Sequence, residues 1–204
     1  LVCAPSRYLA QIDAAEDGEV RLRVTEKLRD TEAATRITLY QGLPKADKME
    51  WIIQKSTELG AAAVAPVAMS RCVVKLEGKD AAKKTERWQK IAASAAEQSG
   101  RGRIPQVRAV RSFREAVLEA AERELALFPY ENEKTQSLRA CLSAGGYQSV
   151  SIMTGPEGGF SEDEVSMAAE AGMKICSLGP RILRCETAPL CALSAVMYAA
   201  GALD

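Results

Sequence analysis

The chain of 204 residues contains no histidine and sets 27 Lys and Arg against 27 Asp and Glu, a formal net charge of +0. Without imidazole, Ser-His-Asp and Cys-His nucleophile chemistry and every histidine-ligated metal site are excluded; a carboxylate Mg²⁺ site has no paired-aspartate motif behind it, so no metal is expected. Hydrophobic residues make up 47%, enough for a sizeable core, and six cysteines are scattered with no C-x-x-C pair. They read as reduced, mostly buried thiols of a cytoplasmic protein. No run approaches eighteen uninterrupted apolar residues, so no membrane span is expected.

The even charge hides an uneven distribution. Between Arg71 and Arg114 twelve Lys and Arg meet only Glu77, Asp80, Glu86 and Glu97, leaving +8 locally and −8 elsewhere. Such a block is either a solvated face or a surface that meets a phosphate backbone.

Residues 7–26 alternate weakly, with Val20, Leu22 and Val24 on one side after an Asp17-Gly18 turn, the pattern of a β-hairpin. A lone hairpin is too little to fold by itself. The chain opens with Leu1 rather than Met, and residues 1–35 are expected to be part of a small β domain whose remainder is missing or precedes Leu1.

From about Arg36 strands alternate with helices. A short strand over 37–40 leads to a helix over 46–59 that turns Met49, Ile52, Ile53 and Leu59 inward and stops at Gly60. A strand over 61–68 precedes a long helix over 80–99 with Trp88, Ile91, Ala92 and Ala95 on one stripe. A strand over 104–110 follows, and then Ser112-x-x-Glu115, a capping box that opens the next helix. A buried strand over 125–128, a short helix over 136–143 and a strand over 150–153 come next. Ser161-x-x-Glu164 is a second capping box, with Phe160 and Val165 placed as its hydrophobic staple. A strand over 174–178 precedes a final helix over 188–203, which Thr187 is placed to cap. This alternation predicts residues 36–204 as an α/β domain, a parallel sheet with helices on both faces.

The final helix is apolar nearly all round, with Leu190, Leu193 and Met197 on one side and Ala188, Ala192, Ala195 and Ala199 on another. Either it is central to one chain, or one face packs against a second subunit. Its terminal position favours the second.

Two loops follow strand ends. Thr154-Gly-Pro-Glu-Gly-Gly-Phe160 is accounted for as a turn before a capped helix, but its glycines also let backbone approach a ligand at a helix start. In open α/β sheets ligands sit beyond the carboxyl ends of strands, where this loop lies. The next strand runs into Leu178-Gly-Pro-Arg-Ile-Leu-Arg-Cys-Glu-Thr187, whose Ile182 and Leu183 are odd in a surface loop unless they line a pocket or are covered. Neither loop fits a Walker A or G-x-G-x-x-G pattern. Together they suggest a ligand held by backbone groups and aliphatic walls, as a purine would be.

These residues resemble a known family. GPEGGFS, LGPRILRCETA, GLPKADKMEWIIQKSTELG and AAEQSGR are similar, in order from about Ile37 onward, to the RsmE family, small-subunit ribosomal RNA uracil-N3 methyltransferases of the SPOUT superfamily. The resemblance implies a deep C-terminal trefoil knot, S-adenosylmethionine as cofactor, a homodimer through the C-terminal helix with composite sites, and small-subunit ribosomal RNA or the assembled subunit as partner. It makes the hairpin the second part of a PUA-like RNA-binding barrel. Carried over by position, Gly155, Glu157, Gly158 and Gly159 form one wall of the cofactor pocket. Leu178, Gly179, Ile182 and Leu183 form another, completed by Leu127 and Pro129, and the knot would bury the Ile182-Leu183 pair. Cys72 and Cys185 stand where many members carry a hydroxyl residue.

Methyl transfer from a sulfonium needs no metal, only the nucleophile in line. With no histidine present, Glu186 is the expected acceptor or relay of the uracil N3 proton, and Arg184 the cation that steadies the developing anion. The bland reading of this pair is an ion pair that fixes the loop. Arg71, Arg101 and Arg103 are the expected phosphate contacts, against a solvated helix end. Two other readings stay open: a different SPOUT enzyme with another RNA target, or a non-catalytic α/β module holding an adenine compound or RNA.

Overall fold

Every residue of one strand, Glu19–Lys27, is exposed, whereas the six that follow Arg36 in another, Arg36–Gly42, are all buried. That contrast divides the chain. In the computed structural model, which describes residues 2–3 and 6–203, the front is a three-stranded antiparallel sheet of β1 (Val2–Cys3), β2 (Ser6–Glu16) and β3 (Glu19–Lys27). Ile12 pairs with Leu22 and Ala10 with Val24, and Ile12, Val20 and Val24 are more than half exposed. Leu1, on which the expected shortening rests, and the Cys3 thiol lie outside the described residues.

The second part is a sheet ordered β10-β8-β9-β4-β5-β6, every pairing parallel. Its strands are β4 (Arg36–Gly42), β5 (Ala63–Ala68), β6 (Gln106–Val107), β8 (Leu125–Pro129), β9 (Ser149–Thr154) and β10 (Lys174–Cys176), and β7 (Arg111–Ser112) also pairs with β5. The helices are α1 (Lys48–Glu58), α2 (Gly78–Gln98), α3 (Phe113–Ala121), α4 (Leu138–Cys141), α5 (Glu162–Glu170) and α6 (Ala188–Ala199).

Strand alternation sends neighbouring side chains to opposite faces, so the sheet carries two cores. Ile37, Leu39, Leu127 and Ile152 meet Ile52 of α1, Trp88 of α2 and Leu193 of α6 on one face. Tyr40, Phe128 and Met153 meet Val117 of α3 and Ala168 of α5 on the other. The chain is thus mixed α/β with a parallel central sheet flanked by helices. No helix among the described residues is long and apolar enough to cross a membrane.

Three local expectations are corrected. The strand over 104–110 shrinks to β6 alone, since Pro105 offers no N–H to a ladder, and β7 begins only at Arg111, past the expected end. The last helix ends at Ala199, where the N–H groups of Gly201 and Ala202 fold back onto the carbonyls of Tyr198 and Met197. Thr187 has helical torsions (φ −90°, ψ −40°) and makes no side-chain cap. Its N–H already closes a turn onto the Arg184 carbonyl, which keeps it out of the extended conformation a cap requires.

Candidate active site

The carboxyl ends of β8, β9 and β10 release three segments that face one another across a cleft of ≈ 380 Å³. Residues 129–131, 154–160 and 177–186 form its walls, joined by Lys48 at the start of α1. Each segment is held from behind. Gln41, fully buried at the end of β4, accepts from the Thr154 hydroxyl (2.7 Å) and donates to the Gly155 carbonyl (3.0 Å). The α5 capping box forms as expected, and the second oxygen of Glu164 accepts from the Ser70 N–H (2.8 Å), which ties the 154–160 loop to the turn after β5. On the other wall, Tyr130 N–H donates to Cys176 O, and Ser177 N–H to Gln136 O.

The loop chemistry needs its glycines. Gly159 sits at φ +65°, a conformation that strains any other residue, and a Cβ there would also push the Glu131 carboxylate, 2.7 Å away, aside. Pro129, Gly155, Glu157, Gly158, Gly159, Leu178, Gly179, Ile182, Leu183, Arg184 and Glu186 all line the cleft.

Leu127 does not: its side chain is completely buried in the core, because it lies two residues inside the carboxyl end of β8, paired with both β9 and β10, short of the opening that begins at Pro129. Ile182 is 86% exposed at the mouth rather than covered, since none of the described residues lies over the outer side of its loop. Arg71 is exposed beside the loop and donates to the Gly158 carbonyl (3.0 Å). Arg101 is corrected outright. Its guanidinium is buried, paired with Glu32 (2.5 Å) and donating to the Thr57 (3.0 Å) and Ala61 (2.7 Å) carbonyls around the end of α1, so four of its five N–H groups and its charge are committed inside the protein. Arg103 keeps an exposed side chain, and its backbone N–H donates to Glu32.

One cleft residue had no signal in the loop motifs. Lys48 Nζ lies 2.9 Å from Glu157 Oε1 and 3.3 Å from Glu186 Oε2, bridging both walls. The Arg184–Glu186 ion pair is absent among the described residues; Glu186 turns to Lys48 and accepts from the neutral Cys185 thiol at 3.1 Å. Cys185 thereby makes the donation a hydroxyl would make, to a carboxylate of its own chain. Burial, then the Glu186 carboxylate, pushes the Cys185 thiol up to about 12. That thiol and Lys48 hold the Glu186 carboxyl below the usual carboxylate range. At Glu157 burial pushes upward, but the Lys48 ammonium and the Lys45 N–H outweigh it and hold the group low. Both acids are therefore ionised at neutral pH, and with one lysine between them this trio on the cleft floor is net negative, a setting for a cationic group, while Arg181 and Arg184 bring positive charge to the mouth.

An open parallel sheet with a glycine-walled, negatively floored cleft beyond its carboxyl ends is compatible with a sulfonium-binding transferase. A family model described as an RNA methyltransferase domain matches residues 31–197, which sets the class of the chain. The ribosomal RNA small subunit methyltransferase E of Bacillus subtilis is 46% identical over 172 residues, 82% of this chain and 67% of that protein. The protein of that name from Mycobacterium tuberculosis is 34% identical over 91% of this chain and 71% of its own length. The chain spans 61% of a third such relative, from Synechocystis. Among solved structures, a Neisseria gonorrhoeae methyltransferase of this name bound to S-adenosyl methionine superposes with a TM-score of 0.80 at 36% identity, over 94% of this chain and 78% of that one. A Legionella pneumophila methyltransferase in complex with the same cofactor gives 0.84 at 34% identity, over 96% and 80%. The chain belongs to the ribosomal RNA small subunit methyltransferase E family.

Proposed function

We propose that this chain transfers the methyl group of S-adenosylmethionine to N3 of a specific uridine in small-subunit ribosomal RNA. The observation that carries the reading is the cleft itself: two glycine-bearing loops after β9 and β10 close around a Lys48-bridged pair of ionised carboxylates. The residues fit that cofactor. The positive φ of Gly159 shapes a side-chain-free wall, the aliphatic Leu178 and Leu183 suit a purine, and the negative Lys48-Glu157-Glu186 trio suits a sulfonium. When bound, the cofactor supplies an electrophilic methyl group. Glu186, ionised and fixed by Lys48 and Cys185, accepts or relays the N3 proton. Arg184, exposed at the mouth with no carboxylate partner among the described residues, neutralises charge on the uracil oxygens.

Three further features belong to the proposal. Residues 176–177 pass between 129–130 and 136–138 with backbone bonds to both sides, which supports a trefoil-knotted path in the last third of the chain. Tyr198, 73% exposed on the outer face of α6, and Ile182 at the mouth support a homodimer with sites completed across it. The front sheet, with its uncovered apolar face, supports a partial PUA-like RNA-binding domain over residues 1–35 beside a catalytic domain over 36–204, in a cytoplasmic enzyme.

Calorimetric titration with S-adenosylhomocysteine tests the cofactor site. Binding near one per chain, lost in Gly158→Arg, is expected, because a side chain there meets Arg71 at 3.0 Å. Labelled-methyl transfer to small subunits, with the product nucleotide mapped by mass spectrometry, tests the reaction. Cofactor binding without transfer would leave a non-catalytic module. Unchanged turnover of Glu186→Gln across pH would remove the proton role.

A further inference from the structure

Beneath the sheet, at the amino ends of β4, β5, β6 and β9, lies a second opening of ≈ 860 Å³, more than twice the volume of the cofactor cleft. Five arginines line it, Arg36, Arg101, Arg103, Arg108 and Arg123, with Asp30 and Glu32; the buried Arg101 is already paired with Glu32, which leaves four guanidinium groups facing Asp30. Just beyond the lining, Glu119 is shared by Arg108, Arg111 and Arg123, one carboxylate for three guanidinium groups. The Arg123 contact is the loosest at 3.7 Å, and its buried Nε has no partner among the described residues. Arg36 and Arg103 extend exposed side chains with no carboxylate partner among those residues. Guanidinium groups gathered in excess of their carboxylates make a site for oxyanions, which they meet in paired hydrogen bonds.

We propose that this groove is a docking site for the phosphate backbone of RNA, separate from the cofactor cleft. The inference rests on the RNA methyltransferase reading and deepens it. The groove is continuous with the front sheet: Thr31 donates to the Gly100 carbonyl, Glu32 ties down Arg101 and Arg103, and the Arg7 guanidinium lies near Gly100. RNA that touches the small β domain would cross this surface before it reaches the sheet. Arg36 begins β4 and Gly42 ends it, and seven residues of strand place the groove about 20 Å from the cleft. A phosphate held there belongs to a nucleotide other than the target. The groove contributes RNA affinity and takes no part in the chemistry.

The test measures binding of protein-free small-subunit ribosomal RNA at several salt concentrations to Arg36→Gln, Arg103→Gln and the double variant. Lys79→Gln/Lys83→Gln on α2 removes the same charge elsewhere. The double arginine variant should lower the slope of log affinity against log salt by about 1.4 where the contacts are to single strands, about 0.7 for each phosphate. S-adenosylhomocysteine affinity and turnover at saturating RNA should be unchanged, and the lysine control should keep the original slope. An unchanged slope in the arginine variants, an equal fall in the lysine control, or no RNA binding by the wild-type chain overturns the groove. Methyl transfer that persists with an unchanged slope removes the groove and leaves the activity. A lost slope in a chain that transfers no methyl removes the activity and leaves the groove.

Discussion

Gly42→Ala probes a close approach behind the proposed cofactor cleft. A Cβ on Gly42 would stand 2.6 Å from Pro156 Cδ, 2.7 Å from Pro156 N and 2.8 Å from Met69 Sδ. Met69 can swing its sulfur aside, but Pro156 is ring and backbone. Relief to an ordinary contact of about 3.6 Å requires a shift of about 1 Å in the first turn of the 154–160 loop. That loop cannot yield freely, because Gln41 clamps Thr154 at 2.7 Å and Gly155 at 3.0 Å while Glu164 anchors its far end at Ser70. Overpacking of this kind costs about 1–3 kcal/mol, which for a chain of this size lowers the melting temperature by about 2–12 °C. Because the strain is concentrated in a cleft wall, S-adenosylhomocysteine affinity should fall as well, by about tenfold if 1.4 kcal/mol of it is relieved only in the ligand-free loop. Differential scanning calorimetry and isothermal titration read the two effects. A variant that melts within 1 °C of wild type and binds the ligand equally would refute the tight passage of loop over strand.

Arg101→Ala should be the most damaging of the arginine substitutions, since it leaves Glu32 and two α1-end carbonyls without their buried partner. Loss of about 3–5 kcal/mol by chemical denaturation is expected, and residual folded protein should keep the wild-type salt slope for RNA. Lys48→Met should shift acid behaviour. Glu157 and Glu186 have lowered folded pKa values, so their stabilisation is present above the ordinary carboxylate range and lost as pH falls through the lowered ones. Without the ammonium that loss begins at higher pH, and the acid limb of the turnover profile should move up with it; an unmoved limb would detach Lys48 from Glu186. Cys176 and Cys185 are both pushed up to about 12, chiefly by burial, so neither should be alkylated by iodoacetamide at pH 8 until the chain unfolds, as peptide mapping would show.

Much of the fold was readable because its determinants are local. Both capping boxes sit where Ser-x-x-Glu placed them, at Ser112 and Ser161, since a cap involves only four consecutive residues. The Thr187 cap failed because a turn closed through Arg184 decides its torsions. The two loops that line the cleft were legible from glycine and proline placement, and ten of the eleven expected residues that face it, Gly155 to Glu186, lie within them, while Pro129 ends β8. Leu127 lies two residues before the strand end at Pro129, where neighbouring strands on both sides keep it in the core and out of the cleft.

Sequence alone therefore determined the alternating α/β order, the two capping-box helix starts at Ser112 and Ser161 and the two glycine loops, each a matter of side-chain period or backbone freedom over a few neighbours. Tertiary structure decided which charges are available. Arg101 and Arg103 are two residues apart in one basic stretch, yet one guanidinium is buried against Glu32 and the other is exposed in a groove. Lys48 lies 109 residues before Glu157, and 138 before Glu186, but the sheet brings it within 3.3 Å of both. Coulombic partners are set by distance in space and by what is excluded from water between them, and neither quantity is written in sequence separation.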